Sequence, residues 1–377
     1  MDSNYPVYTI PAECQDCYKC VRECPVKAIR IRGGHADVIP ELCISCGHCV
    51  TVCPAGAKRV RCDTGRAREL IKQGAPVHAS LAPSWAAEFA DLDEAHIVSA
   101  IRRLGFADVA ETALGAQEVS AATAKRLSER SNGLHLSSAC PAAVRFITQY
   151  MPALSDRITP IASPAMAHAA IIRQRDPGRP VVFIGPCVAK KLEADLHLDS
   201  LQLALTFAEV REWWEREGID PAAIEPSAED CFFPRRSEEG ALYPLAGGML
   251  ETLRINGVGD SARLFHAGGI QAIRSLLSGV ETDSLEQPLF VECLACAGGC
   301  IDGPCMSRQR VGLKDALTIR NRARIPSATI VRSLTAPIDL ATPPAPKTVS
   351  IWSEDELREA LQRVGKTQKK DELNCNG

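Results

Sequence analysis

The sequence predicts a small α+β module at the N-terminal end, followed by a larger α/β domain built on parallel sheets. The small module is predicted by two tandem runs of closely spaced cysteines with a hairpin pattern between them. The larger domain is predicted by repeated strand–turn–helix units. A chain of 377 residues has room for two or three such domains.

The composition is that of a globular protein with one unusual feature, its 17 cysteines. Apolar residues make up 46%, and a net charge of −3 gives no basis for binding nucleic acid or an anionic membrane. No apolar run is long enough to span a membrane, and the first residues lack the features of an export signal. An odd number of cysteines at ligand spacing favours metal over disulfides, so we predict a metal-binding protein of the cytoplasm.

The two cysteine runs share one spacing, in which gaps of two, two and three residues separate the cysteines and a proline follows the last. The runs are Cys14, Cys17, Cys20 and Cys24 before Pro25, and Cys43, Cys46, Cys49 and Cys53 before Pro54. This is the spacing of a bacterial-type ferredoxin with two [4Fe–4S] clusters, in which the fourth cysteine of each run binds the cluster of the other run. A pair of zinc sites is the alternative, but it leaves the third cysteine of each run without a role.

The crossed pattern assigns four ligands to each cluster. The first cluster is expected on Cys14, Cys17, Cys20 and Cys53, and the second on Cys43, Cys46, Cys49 and Cys24. Between the runs, residues 28–39 alternate around Gly33 and Gly34, which predicts a β-hairpin. Two such clusters conduct electrons but do no bond chemistry, so we expect a reaction centre elsewhere in the chain.

The body of the chain carries strand patterns that each run into a turn and a helix. The expected strands lie at 76–82, 108–113, 133–138 and 180–185, and the second is expected to precede a helix at about 116–130. Cys140 and Cys187 fall on the turns that follow two of these strands. Ligands bind beyond the carboxyl ends of parallel strands, and amides at a helix start favour an anion such as a thiolate-bound cluster.

A further pair of cysteines, Cys296 and Cys300, is separated by a segment that contains Gly298 and Gly299. One helical turn would place both thiols on the same face, and the glycines would let the backbone approach a bulky cofactor. Ordinary burial in the core explains any single cysteine. It does not explain four of them at strand ends and beside a glycine pair.

At these residues the chain resembles the [FeFe]-hydrogenases. The family's Thr-Ser-Cys-Cys-Pro segment corresponds to Ser-Ser-Ala-Cys-Pro at 137–141. Its Met-Pro-Cys-x-x-Lys-Lys-x-Glu segment corresponds to Gly-Pro-Cys-Val-Ala-Lys-Lys-Leu-Glu at 185–193. Its Glu-x-x-x-Cys-x-Gly-Gly-Cys segment corresponds to Glu-Cys-Leu-Ala-Cys-Ala-Gly-Gly-Cys at 292–300. With the ferredoxin module, the resemblance covers about residues 10–335.

The resemblance implies an α+β ferredoxin-type two-cluster module followed by an α/β H-cluster domain with parallel sheets in two lobes. The H-cluster is a [4Fe–4S] cube joined through one cysteine to a two-iron unit with CO, cyanide and azadithiolate ligands. The implied ligands of the cube are Cys140, Cys187, Cys296 and Cys300, with Cys300 as the bridge to the two-iron unit. Lys190 would face one cyanide, since a compact ammonium gives a charge-assisted hydrogen bond, and the backbone at Pro83 and Ser84 would face the other.

Several positions depart from the family pattern. Ala139 replaces the cysteine that relays protons in the productive members, and alanine has no exchangeable proton. The other changes are Gly185 and Leu294 for methionines, Ala165 for a glutamine, and Pro304-Cys305 within the last glycine run. This pattern is similar to that of the sensory members. Cys293 or Cys305 could supply a substitute relay, although ordinary packing accounts for either.

The resemblance therefore implies slow, reversible H2 oxidation and proton reduction, with electrons passed through two [4Fe–4S] clusters and used to sense H2 or redox state. The expected partners are H2 and protons, a redox protein or downstream sensor module, and hydrogenase maturation enzymes, but no nucleic acid and no membrane. Two alternatives remain open. One is a non-enzymatic, hydrogenase-like iron–sulfur carrier or assembly protein, and the other is an ordinary ferredoxin-linked catalytic hydrogenase.

The predicted domains are the ferredoxin module at 1–65, the H-cluster domain at 66–335 and a tail at 336–377. Residues 335–349 are proline-rich and predict a linker, and residues 353–366 predict a helix capped by Ser353. The last residues, with Cys375, resemble the first half of another cluster motif, of the kind that precedes a PAS domain in sensory hydrogenases. We expect an iron–sulfur module truncated at this point.

Overall fold

The computed structural model describes residues 5–129, 132–280, 285–307, 312–338, 354–363 and 365. The N-terminal module is built from two antiparallel strand pairs and two short helices. Its elements are β1 (Val7–Thr9) paired with β4 (Lys58–Val60), β2 (Ile29–Arg32) paired with β3 (His35–Val38), α1 (Lys19–Glu23) and α2 (His48–Val52). Gly33 and Gly34 form the turn between β2 and β3 with φ of +60° and +85°, which suits a tight hairpin. The predicted hairpin is confirmed.

The larger domain contains two parallel sheets. The first has the order β6-β5-β8-β9, formed by β5 (His78–Leu81), β6 (Asp108–Glu111), β8 (Val181–Gly185) and β9 (Leu203–Thr206). The second has the order β10-β11-β7, formed by β7 (Gly133–Leu136), β10 (Arg263–Gly268) and β11 (Pro288–Leu294). Each of the four predicted strands is present, and the predicted α/β architecture with parallel sheets is confirmed.

Twelve α-helices follow the module within the described residues. They are α3 (Thr64–Lys72), α4 (Trp85–Glu88), α5 (Glu94–Arg103), α6 (Ala113–Glu129), α7 (Pro141–Tyr150), α8 (Pro164–Arg175), α9 (Ala189–Leu196), α10 (Phe207–Glu217), α11 (Gly248–Ile255), α12 (Ile270–Leu277), α13 (Leu313–Arg322) and α14 (Glu354–Arg363). The helix expected at 116–130 is α6, which begins three residues earlier. In the described part of the chain, no helix is both long and apolar enough to cross a membrane.

Two large hydrophobic cores and one small one lie within the described residues. One large core surrounds the first sheet and includes edge-to-face aromatic pairs such as Phe89 with Trp214, whose ring centroids are 5.4 Å apart. The other large core joins the ferredoxin module to the second sheet, because Ile44 of the module shares it with Phe146 and Ile273 of the larger domain. The module is thus packed onto the domain that contains the other cysteines.

The end of the body differs from the predicted linker. Thr335 donates to Glu118 through both its backbone N–H (2.9 Å) and its hydroxyl (2.7 Å). Ala336 and Ile338 are buried, and the Ile338 carbonyl accepts from the backbone N–H of Ala162 at 2.8 Å. Residues 335–338 therefore pack against the body, because alternate apolar side chains find space there. The rest of the predicted linker, Ser353 and Cys375 lie outside the described residues, whereas α14 agrees with the helix predicted at 353–366. The domain boundaries stay predictions.

Candidate metal centres

The eight cysteines of the ferredoxin module line two separate cavities. The thiols of the first belong to Cys14, Cys17, Cys20 and Cys53. The thiols of the second belong to Cys24, Cys43, Cys46 and Cys49. The last cysteine of each run therefore lies with the first three of the other run. This geometry agrees with the crossed ligand sets expected from the spacing.

The thiols of the second cavity are held in an apolar setting that fits an iron–sulfur cluster. Burial raises the pKa of Cys46 to about 12. Burial also raises the pKa of Cys49, and the neighbouring thiols Cys43 and Cys46 raise it further. Such thiols become thiolates only beside a strong positive charge, which cluster iron supplies. Backbone N–H groups also point at ligand sulfurs, with Ser45 N 3.4 Å from the Sγ of Cys43 and Ala28 N 3.3 Å from that of Cys24.

In the larger domain, the ends of three parallel strands bring four more thiols together. Cys140 is the N-cap of α7, beyond β7, and Cys187 lies between β8 and α9. Cys296 and Cys300 follow the end of β11. Burial raises the pKa of Cys187 to about 11, and the adjacent Cys140 thiol adds to the increase. The pKa values of Cys296 and Cys300 are raised first by burial and then by Cys187 and Cys140.

The segment between Cys296 and Cys300 is a turn and not the expected turn of helix. The Gly299 N–H donates to the Cys296 carbonyl at 3.2 Å, and Gly299 adopts φ +84°. A Cβ on Gly299 would lie 2.4 Å from the carbonyl oxygen of Pro244, so only glycine fits there. Two consecutive glycines favour such a bend over a helix, which explains why the helical expectation was wrong. The bend still places both thiols at one site.

Lys190 lies beside this thiol cluster. Its side chain is 9% exposed, and its ammonium donates to Ser163 Oγ at 2.7 Å and to Glu193 Oε2 at 2.6 Å. Its charge opposes the burial that raises the pKa of Cys187 and Cys300. An ammonium has three donors, so one remains for an anionic group in the site.

Pro83 and Ser84 follow β5 at the same sheet edge. Strands β5 and β8 are neighbours, and the Ala82 N–H donates to the Ile184 carbonyl at 2.8 Å, so Pro83 and Ser84 lie next to the turn that carries Cys187. Ser84 is fully buried, and its Oγ has no hydrogen-bond partner among the described residues. A buried hydroxyl without a partner is costly, and a polar cofactor group would satisfy it. The residues present therefore fit the implied cofactor.

Family comparisons agree with both sites. Residues 13–57 match the 4Fe-4S dicluster domain family. Residues 75–304, more than half of the chain, match the family described as iron only hydrogenase large subunit, C-terminal domain. The chain belongs to the [FeFe]-hydrogenase family. The predicted cofactors, two [4Fe–4S] clusters and an H-cluster, agree with this combination of domains.

Known relatives are distant. Iron hydrogenase 1 of Clostridium pasteurianum is 25% identical over an alignment of 254 residues that covers 55% of this chain and 44% of that protein. The chain thus matches less than half the length of this relative. Among solved structures, the [FeFe]-hydrogenase HydA1 of Chlamydomonas reinhardtii is 16% identical with a TM-score of 0.51, and HydA(deltaEFG), from a study of H-cluster assembly, is 16% identical with a TM-score of 0.52. Each covers 79% of this chain and 93% of the other, and at this identity they support the fold alone.

Two departures from the hydrogenase pattern have visible surroundings. Ala139 is half-buried against the first core, directly after Ser138, whose hydroxyl lies 3.3 Å from that of Thr159. Gly185 leaves space for Phe183, because a Cβ there would lie 2.5 Å from the Phe183 ring. A methionine at this position would therefore require the ring to move. Leu294 and Ala165 are simply buried.

Two further thiols lie close to the four hydrogenase cysteines. Cys293 is fully buried, and its N–H donates to Ser137 Oγ at 2.9 Å. The Cys305 N–H donates to the carbonyl of Pro186, the residue before Cys187, at 3.1 Å. Burial raises the pKa of both thiols, which suits neutral packing groups. A relay role for either stays a prediction.

Glu292 is a site residue whose structural role the sequence did not indicate. Its carboxylate accepts from the backbone N–H groups of Gly247 (2.7 Å) and Met249 (3.0 Å), so it fixes the start of α11 beside the site. Burial raises its pKa to about 7. The sequence showed Glu292 in the Glu-x-x-x-Cys segment, but it did not show its hydrogen-bond partners, which are more than 40 residues away.

The second ferredoxin cavity is the one that faces the hydrogenase thiols. Cys46 is among the thiols that raise the pKa of Cys296, after burial and the three nearer cysteines. Helix α7, which starts at Cys140, also holds the loop before Cys43. Arg145 Nε donates to the Cys43 carbonyl at 2.9 Å, and the Tyr150 hydroxyl donates to the Leu42 carbonyl at 2.6 Å. One rigid helix thus contacts both centres.

Proposed function

We propose that this member of the [FeFe]-hydrogenase family catalyses slow, reversible H2 oxidation and proton reduction at an H-cluster, and that it serves to sense H2 or redox state. Cys140, Cys187, Cys296 and Cys300 would hold the cube, with Cys300 as the bridge. The bound two-iron unit would supply the metal that binds H2 and the ligands that stabilise low-valent iron. All remaining steps depend on groups of the chain.

Lys190 supports the presence of cyanide ligands. A non-enzymatic iron–sulfur carrier needs only the four thiols to hold its cube. Here the Lys190 ammonium is oriented by Ser163 and Glu193 and keeps a donor free. Ser84, with its unpartnered buried hydroxyl, offers a second polar contact on the neighbouring strand. Together they favour a cofactor with polar ligands over a bare cube.

The proposal of low turnover rests on one observation, the alanine at position 139. Proton transfer requires a donor and an acceptor within hydrogen-bond reach, or linked by one water. The methyl group of Ala139 is neither, at the position that resembles the relay cysteine of productive enzymes. Protons must then arrive by a less direct route, which slows turnover. Slow turnover suits a sensor, because a sensor registers H2 without consuming it.

The ferredoxin module would carry electrons between the site and a partner. The cluster on Cys24, Cys43, Cys46 and Cys49 would exchange electrons with the cube, and the cluster on Cys14, Cys17, Cys20 and Cys53 with a redox protein or a downstream sensor module. Maturation enzymes would install the two-iron unit. We place the protein in the cytoplasm, where thiols stay reduced.

An infrared spectrum of protein matured with the two-iron unit tests this proposal. We expect stretching bands of iron-bound CO and cyanide, and their frequencies should change on exposure to H2. Absence of these bands after maturation, with all three cubes present, would favour the non-enzymatic carrier. Bands whose frequencies do not change on exposure to H2 would contradict a sensory role.

A further inference from the structure

Lys58 is one of the largest fully buried side chains of the protein, at 2% exposure. It lies on β4 of the ferredoxin module, where side chains alternate between the two faces of the strand pair. Its neighbour Arg59 points outward, is half-exposed and pairs with Glu13 at 3.0 Å. Lys58 points inward. A lysine is almost never fully buried without a partner of opposite charge.

The Lys58 ammonium has two neutral acceptors. It donates to Thr9 Oγ1 at 2.5 Å and to the Ala36 carbonyl at 3.0 Å, and Thr9 Oγ1 in turn donates to the same carbonyl at 2.6 Å. Among the described residues, no carboxylate lies within ion-pair distance of Lys58. By contrast, the buried Lys191 contacts both Asp63 and Glu209. Burial of an ammonium without a counter-ion is strongly unfavourable, so an anion is expected beside Lys58.

The position of Lys58 identifies that anion. Its side chain lines the first ferredoxin cavity together with the four thiols of the first cluster. Its charge opposes the burial that raises the pKa of Cys20, and it acts in the same direction on Cys49 of the second cavity. The ammonium thus belongs to the first cavity, whose lining includes Lys58 and the four thiols. Two of its three N–H groups are used by Thr9 and Ala36, which leaves one for the cluster.

We propose that Lys58 is the internal counter-ion of the cluster on Cys14, Cys17, Cys20 and Cys53, and that it raises the reduction potential of this cluster above that of the second. Reduction adds one negative charge to the cluster, and a fixed positive charge in a medium of low dielectric constant stabilises the reduced form. In the singly reduced module, the electron would then reside mainly on the first cluster. This inference concerns the dicluster domain and holds with or without the two-iron unit.

The first test compares Lys58→Met with Arg59→Met in the full chain carrying its [4Fe–4S] clusters. Lys58→Met removes the buried charge, and Arg59→Met removes an exposed charge from the adjacent position. Midpoint potentials are measured by EPR-monitored redox titration, and the two signals are assigned with Cys53→Ser. We expect Lys58→Met to lower the potential of the first cluster clearly and that of the second less, while Arg59→Met changes neither. Unchanged potentials in Lys58→Met, or equal shifts in both variants, would overturn the proposal.

A second test needs no substitution at Lys58 and so does not depend on the folding of a variant. Wild-type protein labelled with 15N at lysine Nζ is reduced, and pulsed EPR is used to look for a nitrogen hyperfine coupling to the first cluster. We expect one coupled lysine nitrogen and a coupled proton that exchanges in D2O. A reduced first cluster without lysine coupling would place the ammonium elsewhere and refute its role as counter-ion.

Discussion

The Lys191 ammonium lies 2.9 Å from Oδ2 of Asp63, and both side chains are almost completely buried. Asp63 stands at the end of the ferredoxin module, whereas Lys191 belongs to α9, the helix that follows Cys187. Glu209 completes the contact, since it accepts from Lys191 at 2.8 Å. These contacts therefore fix α9, the helix that follows Cys187, to the start of α3.

We expect Lys191→Met to destabilise the protein by about 3–5 kcal/mol, because it leaves the buried Glu209 without its cation and removes one of the three cations that pair with Asp63, the others being Arg61 and Arg66. The matched control is Arg66→Met, since Arg66 also pairs with Asp63, at 3.0 Å, but is 45% exposed. The control should cost less than about 1 kcal/mol. Denaturant unfolding followed by circular dichroism measures both. Similar losses in the two variants would show that the buried contact has no special weight.

The crossed ligation predicts that Cys53→Ser damages the cluster bound by Cys14, Cys17 and Cys20. The cluster on Cys43, Cys46 and Cys49 should stay intact, although Cys53 belongs to the same run. Mössbauer or EPR spectroscopy of the reduced variant distinguishes the two. The reciprocal variant, Cys24→Ser, should damage the other cluster. If each variant instead lost the cluster of its own run, the crossed assignment would be wrong.

Loss of a cube ligand should abolish H2 chemistry and spare the ferredoxin clusters. We expect Cys296→Ala to lose one [4Fe–4S] cube by iron analysis, while both ferredoxin clusters remain reducible. The control is Cys293→Ala, which removes a buried thiol three residues away that is not assigned as a ligand. It should keep all three cubes. Full iron content in Cys296→Ala would remove this residue from the ligand set.

Local patterns in the sequence predicted much of this structure. The cysteine spacing predicted the two cavities, because ligand geometry is set by a few residues on one loop. Apolar runs predicted β5, β6 and β8 of the first sheet and β7 of the second, but not β9, β10 or β11. The turns after β7 and β8 carry Cys140 and Cys187 as expected. The bend at Gly299 was wrongly expected to be helical, since the spacing of two cysteines does not distinguish a helical turn from a tight bend.

Contacts between distant segments were not predictable. Nothing near Lys58 in the sequence distinguishes it from the exposed Arg59, and its burial follows from the pairing of β4 with β1. Lys191 has the pattern of an ordinary helix lysine, and its partner Asp63 is 128 residues away. Similarly, residues 335–338 belong to a proline-rich stretch like a linker, but Ala336 and Ile338 are buried, and Thr335 and Ile338 hydrogen-bond to the distant Glu118 and Ala162.

Ala139 stands where productive family members have a relay cysteine, so a thiol at this position should accelerate turnover. Loss of a general acid–base group costs about a hundredfold in rate, or roughly 3 kcal/mol of barrier. Ala139→Cys should recover part of this loss, because Gly185, Leu294 and Ala165 also alter the site.

The most direct measurement compares the rates of H2 oxidation and evolution by wild type and Ala139→Cys at equal two-iron occupancy, verified by infrared spectroscopy. Ala139→Ser is the matched control, since it adds a polar atom of similar size with a far higher pKa. We predict a slow wild type, a measurable gain in Ala139→Cys and a smaller one in Ala139→Ser. A wild type as fast as a productive hydrogenase, or an Ala139→Cys rate equal to that of wild type, would contradict slow turnover caused by the missing thiol.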